Sequence, residues 1–131
     1  RPSESSSVLD SSAYLALILG EPGDDFVRAA LRRGAAICSV SLAEVIARLF
    51  DVNHTAQQVE DRLLEFAVPV VQFGAREGRA AGYLRASTRH LGLSLGDRAC
   101  LALAAELGVP AITADRAWKD LDVGVEVVLC R

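Results

Sequence analysis

The sequence has few of the features typical of membrane or secreted proteins. No apolar run among its 131 residues approaches the roughly 18 that a membrane-spanning helix needs, although 51% of the residues are hydrophobic. Its cysteines, Cys38, Cys100 and Cys130, are odd in number and have no paired spacing. We therefore expect buried free thiols, in a cytoplasmic protein that makes no contact with a membrane.

Positive charge is also scarce. The formal net charge is −3, unlike the basic balance that many nucleic-acid-binding proteins carry. Lys119 is the only lysine, and every other basic residue is an arginine. The planar guanidinium suits phosphate recognition, but a GC-rich coding sequence would produce the same bias. The arginines at 76, 79, 85 and 89 therefore indicate either a solvated helix face or one side of an RNA groove.

The side chains usually used for zinc binding or nucleophilic catalysis are poorly placed. His54 and His90 have no cysteine or acid at ligand spacing. Ser11 and Ser12 have no histidine or lysine spaced to activate them. We expect these hydroxyls to orient a ligand or cap a helix.

Short apolar runs alternate with segments of helical periodicity. The predicted strands cover 8–9, 35–39, 69–72, 111–113 and 125–129, and the predicted helices cover 11–19, 24–33, 41–50, 55–66, 75–90 and 99–107, with a short helix around Trp118. This order predicts an α/β protein, a three-layer α/β/α sandwich with a central parallel β-sheet. Residues 7–131 are expected to form one domain, and the polar residues 1–6 a disordered tail or a cloning remnant.

Four acids lie at the predicted junctions between strands and helices. Asp10 and Asp115 follow strands, whereas Glu44 and Asp97 lie near helix starts. Each has a structural explanation, because aspartate is a favoured N-cap and Ser41 with Glu44 fits a capping box. In a parallel sheet, however, these junctions share one edge, where ligands commonly bind.

Carboxylates that converge repel one another, and this repulsion raises their pKa values unless a cation neutralises them. Hard divalent cations such as Mg²⁺ and Mn²⁺ prefer oxygen ligands, and Mg²⁺ often takes only one or two carboxylates together with water and phosphate. An acidic cluster without histidine or cysteine therefore indicates phosphate chemistry.

Four segments of the sequence resemble the signatures of PIN domains and, more narrowly, of the VapC toxins of toxin–antitoxin pairs. They are Val-Leu-Asp-Ser-Ser-Ala at 8–13, Ser-Leu-Ala-Glu-Val at 41–45, Leu-Ser-Leu-Gly-Asp at 93–97 and Ile-Thr-Ala-Asp at 112–115. The resemblance extends from about residue 8 to residue 129, and the acids match in order and spacing.

The resemblance implies a Mg²⁺- or Mn²⁺-dependent endoribonuclease whose products carry a 5′-phosphate and a 3′-hydroxyl. Asp10 and Asp97 would be the principal metal ligands, and Glu44 and Asp115 would complete the pocket. Thr113 matches a supporting hydroxyl position of the family. Ser11 is a second supporting candidate, and Asp120 is a possible additional acid.

The resemblance also implies partners. An RNA substrate, a homodimer and a cognate antitoxin are expected, and in such families the antitoxin wraps the toxin with a helical segment. It often directs a basic side chain into the acidic pocket. The apolar surfaces of the helices at 11–19, 24–33 and 41–50 are the expected docking region.

Two other functions were considered. A catalytically inactive PIN-fold module for RNA binding or assembly would have no need of four mutually repelling acids. A flavodoxin-like receiver phosphorylated on Asp10 would need an acidic pair near the first strand and a late lysine, for which Lys119 is the only candidate.

For three further side chains the sequence allows two roles each. Trp118 is expected either to stack on an RNA base or to pack the short helix onto the sheet. Arg98 and Arg116, next to two of the acids, are expected to contact RNA phosphates or surface carboxylates.

Overall fold

The computed structural model describes residues 5–131. Most of the predicted tail, residues 1–4, lies outside the described residues. The strands are β1 (Ser7–Leu9), β2 (Ala35–Cys38), β3 (Val70–Val71), β4 (Ala111–Thr113) and β5 (Val127–Leu129). The helices are α1 (Ser11–Leu19), α2 (Asp24–Arg32), α3 (Ser39–Asp51), α4 (Ala56–Glu65), α5 (Ala75–Thr88) and α6 (Leu95–Leu107), with 3₁₀ helices at Arg89–Leu91 and Arg116–Asp120.

The five strands form one parallel sheet in the order β3-β2-β1-β4-β5. From β1 the chain builds outward through β2 and β3, then crosses back and adds β4 and β5 on the other side. The direction of winding therefore reverses between β1 and β4, where Leu9 lies opposite Ile112. Open α/β sheets bind ligands at such a switch point, outside the carboxyl ends of the strands.

Alternate strand residues contribute to two separate hydrophobic cores, as the period of a β-strand requires. Leu9, Ile37 and Ile112 pack with residues of α1 to α4 on one face. Val8 and Cys38 pack with residues of α6 on the other face, where α5 in turn packs against α6. The predicted three-layer α/β/α sandwich with a central parallel sheet is confirmed.

Residues at the centres of the layers behave as the sequence predicts. Helix α6 buries seven of its residues, from Gly96 to Ala104, in agreement with its nearly continuous apolar sequence. All three cysteines are buried free thiols. Trp118 is only 1% exposed and belongs to the core beneath α6, so it packs the short helix onto the sheet and cannot stack on a base.

Two predicted capping arrangements are wrong. Helix α3 begins at Ser39, directly after β2 and without a turn, so Ser41 lies inside the helix and the capping box of Ser41 with Glu44 does not form. Asp97 is not an N-cap either. Ser94 caps α6 by accepting from the Asp97 amide at 3.1 Å, while Asp97 Oδ2 accepts from the Ser94 amide at 2.9 Å. Asp97 is therefore the second member of a capping box.

Two aromatic side chains on the helices are well exposed. Phe26 on α2 is 40% exposed and Phe50 on α3 is 49% exposed, because Val27, Ala30, Val45 and Leu49 supply the buried stripes of these helices. None of the helices within residues 5–131 has the length and apolar character needed to span a membrane.

Candidate active site

Asp10 is the anchor of the site. It follows β1 and caps α1, with its Oδ1 accepting from the Ala13 amide at 2.8 Å and from the Ser12 hydroxyl at 2.7 Å. Its Oδ2 accepts from the Thr113 hydroxyl at 2.5 Å. The side chain is 4% exposed, so both oxygens are held in fixed directions at the edge of the sheet.

Burial raises the pKa of Asp10 to about 6. The three hydrogen bonds, from Thr113, Ala13 and Ser12, favour the charged form and oppose this rise. The negative charge of Asp97 adds to it. Asp10 is therefore a carboxylate whose charge is incompletely compensated by the chain.

Ser12, and not Ser11, connects the two central strands. Its hydroxyl donates to Asp10, accepts from the Ala114 amide at 2.9 Å and lies 3.3 Å from the Thr113 hydroxyl. Thr113 Oγ1 also accepts from the Asp115 amide at 3.0 Å. The supporting position predicted for Thr113 thus contacts Asp10 directly, and Ser12 shares that task.

Glu44 reaches the same edge from α3. Burial raises its pKa, the Ser11 side chain lowers it by hydrogen bonding, and the charge of Asp97 raises it further. The predicted supporting residue Ser11 is therefore a neighbour of Glu44. The Glu44 carboxylate also lies against the backbone of Gly96, in the first turn of α6.

Asp97 connects the acids. Its charge raises the pKa of Asp10 and of Glu44, which come from two other elements of the fold. Asp97 is therefore close enough to both acids for its charge to act on them, and the role of the three as one metal site stays a prediction. The relief of their repulsion by a cation would stabilise this arrangement.

Asp115 differs from these three residues in its local role. It follows β4 and is exposed, and its Oδ1 caps the following 3₁₀ helix by accepting from the Ala117 amide at 3.0 Å. Asp120 lies at the far end of that 3₁₀ helix and is also exposed. The cap therefore fixes the orientation of the Asp115 carboxylate.

The acids supply oxygen donors of the kind that a hard divalent cation prefers. Within residues 5–131, no three His, Cys, Asp or Glu side chains form a preassembled set of direct ligands. The donors at the site are oxygens throughout, and two of the three clustered acids have raised pKa values caused in part by a like charge. This donor set fits Mg²⁺ or Mn²⁺ held by one or two carboxylates and otherwise by water and phosphate.

Two arginines next to the acids bond backbone carbonyls, and their contact with RNA phosphates stays a prediction. Arg98 donates to the Ala81 carbonyl of α5 at 2.9 Å, and Arg116 donates to the Arg131 carbonyl at 2.8 Å. Neither contacts a surface carboxylate within the described residues. Arg76 pairs with Glu106 at 3.6 Å.

Two residues of the site were missed by sequence reasoning. Ser12 was considered with Ser11, but only the helix register shows which hydroxyl faces Thr113. Gly96 lies within one of the four motifs, but the sequence pattern assigns no role to it. A glycine in the first turn of a helix, next to an acid, was the available signal for a close approach to the backbone.

Comparison with known proteins agrees with this geometry. The sequence matches the PIN domain family over residues 7–124. No protein of curated function matches it. The resemblance to PIN domains that the four motifs carry is thereby confirmed.

Several solved structures share the fold. A toxin–antitoxin complex from Klebsiella pneumoniae is 18% identical, with a TM-score of 0.72 and coverage of 96% of this chain and 98% of that chain. VapBC2 from Rickettsia felis, bound to a DNA fragment from its promoter, is 16% identical, with a TM-score of 0.76 and coverage of 94% and 97%. VapBC-5 from Mycobacterium tuberculosis is 22% identical, with a TM-score of 0.61 and coverage of 97% and 98%. The family match covers most of the sequence, and this chain belongs to the PIN-domain family.

Proposed function

We propose that this chain is a VapC-type toxin, a Mg²⁺- or Mn²⁺-dependent endoribonuclease that a cognate antitoxin holds inactive. The observation that supports the proposal is a pair of acids with raised pKa values: burial, and to a smaller extent the charge of Asp97, raises the pKa of Asp10 at the switch point between β1 and β4 and of Glu44 beside Ser11. Such uncompensated negative charge is costly in a protein that has no cation to bind.

Asp10 and Asp97 are the proposed principal ligands of the cation. Asp10 has both oxygens fixed by hydrogen bonds, so it would meet a cation with little loss of side-chain freedom. Asp97 Oδ2 accepts from the Ser94 amide, so Oδ1 is the oxygen that we propose for the cation. Glu44 and Asp115 would act directly or through water.

The bound cation would stabilise the negative oxygens of the scissile phosphate and lower the pKa of an attacking water. Side chains of this protein orient the acids that would hold the cation. Thr113 and Ser12 orient Asp10, and Ser11 hydrogen-bonds the Glu44 carboxylate. The proposed products are a 5′-phosphate and a 3′-hydroxyl.

An antitoxin partner is supported by the fold likeness to a toxin–antitoxin complex and to VapBC proteins. Helix α1, one of the expected docking segments, has five of its nine residues buried and none exposed. The exposed apolar residues of this region are Phe26 on α2 and Phe50 on α3, and we propose that these two contact the antitoxin. Unchanged hydrogen exchange in α2 and α3 on addition of the antitoxin would contradict this.

A homodimer and a cytoplasmic location belong to the same proposal. The three buried free thiols suit a reducing compartment. Sedimentation of the purified chain would test the dimer independently of its activity.

The decisive experiment is the cleavage of total cellular RNA by the purified protein with Mg²⁺, with Mn²⁺ and with EDTA. Asp97→Asn is the test variant, because asparagine keeps an oxygen that can accept from the Ser94 amide while it removes the charge. Asp61→Asn, an exposed acid on α4, is the matched control. We expect metal-dependent fragments from the wild type and the control, and none from Asp97→Asn.

The alternative, a catalytically inactive PIN-fold module, is favoured by the lack of a preassembled three-ligand set among residues 5–131. A folded protein that neither cleaves RNA nor binds Mn²⁺ in calorimetry would support that alternative. Near-normal cleavage by Asp97→Asn at saturating Mg²⁺ would instead contradict the role given to Asp97.

A further inference from the structure

The first turn of α6 contains a glycine whose missing side chain is replaced by a carboxylate from another helix. A Cβ built on Gly96 would overlap Oε1, Oε2 and Cδ of Glu44, far inside van der Waals contact. Gly96 is itself buried. The Glu44 carboxylate therefore occupies the space that any other residue at position 96 would fill.

The backbone does not otherwise demand a glycine at this position. Gly96 is absent from the residues with positive φ, so its conformation is open to every L-amino acid. Glycine is also a poor helix residue, because it loses more backbone freedom on folding than alanine does. The contact with Glu44 is the feature of the described structure that explains glycine at position 96.

The position of the Glu44 carboxylate beside the first turn of α6 has an electrostatic consequence. At the start of a helix the backbone carries partial positive charge, which favours an anion close to the first turn. By approaching Gly96, Glu44 gains this stabilisation although Asp97, the next residue of the helix, repels it. Glu44 is thus held next to Asp97 instead of turning away into solvent.

We propose that Gly96 is a positioning residue that fixes the Glu44 carboxylate inside the acidic cluster. Its lack of a Cβ sets how closely Glu44 approaches a cation held by Asp10 and Asp97. The part of the inference that concerns the cation rests on the proposed function. The part that concerns the placement of Glu44 does not.

Gly96→Ala should leave the fold intact. The added Cβ meets only the far end of a flexible side chain, so Glu44 can rotate away without a shift of either helix. Because alanine favours a helix, we expect the metal-free variant to melt at or above the temperature of the wild type. If the single variant did not fold, Gly96→Ala combined with Glu44→Ala would remove the overlap and should fold.

The first measurement is a crystal structure of metal-free Gly96→Ala. We expect the Glu44 carboxylate to have left the first turn of α6. A carboxylate found in its original place would overturn the proposal. This measurement requires neither a metal nor RNA, so it decides the placement even if the wild type proves to bind no Mn²⁺ and to cleave no RNA, an outcome that would sink the proposed function alone.

The second measurement is Mn²⁺ binding by calorimetry to the wild type, to the two single variants and to the double variant. We expect Gly96→Ala to weaken binding about 10- to 100-fold, as the loss of groups that orient metal ligands does. Glu44→Ala should cause a similar loss, with no additional loss in the double variant.

Gly82→Ala on α5, where a Cβ meets nothing within 4 Å, is the matched control and should bind like the wild type. Equal Mn²⁺ affinity of Gly96→Ala and the wild type would overturn the part of the proposal that concerns the cation.

Discussion

Thr113 Oγ1 donates a hydrogen bond of 2.5 Å to Asp10 Oδ2 across the junction between β1 and β4. The two residues are 103 positions apart in the chain. They meet because β4 pairs directly with β1, with Leu9 opposite Ile112. The buried carboxylate of the site is therefore oriented by the strand that joins the sheet after the crossover.

The buried charge of Asp10 predicts a pH-dependent stability in EDTA. Its folded pKa, about 6, lies above the ordinary aspartate value of 3.8, so the stability that protonated Asp10 contributes is present below about pH 4 and is lost as the pH rises through 6. We expect the wild type to lose up to about 3 kcal/mol relative to Asp10→Asn between pH 4 and neutral pH. Urea unfolding of both proteins across this range measures the difference.

Addition of Mg²⁺ or Mn²⁺ at neutral pH should restore this stability in the wild type and not in Asp10→Asn, because a ligand that binds only the folded state stabilises it. A difference between the two proteins that stays constant with pH would contradict the buried, uncompensated state of Asp10.

Two buried threonines test the pH dependence of the hydrogen bond to Asp10. Thr113→Val removes a bond to a carboxylate and also the acceptor of the Asp115 amide, and only the first loss changes with pH. The loss of the bond to Asp10 should cost about 1.5–3 kcal/mol at neutral pH and less at pH 4. Thr88→Val removes a bond of 2.7 Å to the Leu84 carbonyl and should cost about 1 kcal/mol at both pH values. Denaturant unfolding in EDTA measures both. Identical pH profiles for the two variants would contradict the coupling between Thr113 and Asp10.

Adjacent serines should differ in their effect on stability. Ser12→Ala leaves the Ala114 amide without its partner and removes a donor to Asp10, so we expect a cost of about 1–3 kcal/mol. Ser11→Ala affects a hydroxyl beside the partly buried Glu44 and should cost less. Urea midpoints of the two variants measure this, and the reverse order would show that the helix register at α1 is wrong.

Trp118 should act on stability and not on RNA affinity. Trp118→Ala is expected to cost about 3–5 kcal/mol because it opens a cavity in the core beneath α6. Trp118→Phe should cost less, since Nε1 has no hydrogen-bond partner among the described residues and none would be lost. Thermal unfolding ranks the variants. A folded Trp118→Phe protein with greatly weakened RNA binding would support base stacking instead.

The local signals predicted most of the elements correctly. Asp10 and Asp115 were expected as N-caps, and both accept from backbone amides at helix starts, because capping depends on residues only two or three positions apart. The start of α3 was missed because Ser39 and Ser41 are equally good local candidates. Helix α3 begins at Ser39 because the chain enters the helix directly from the end of β2.

The sequence by itself determined the alternation of strands and helices, and with it the sheet edge to which the acids are delivered, because hydrophobic period and capping are local properties. Only the tertiary structure decided which groups meet there. It selected Ser12 over Ser11 as the partner of Thr113, oriented Asp115 as a helix cap and placed Glu44 against Gly96. These outcomes depend on strand order and helix register, which arise from packing between residues far apart in the chain.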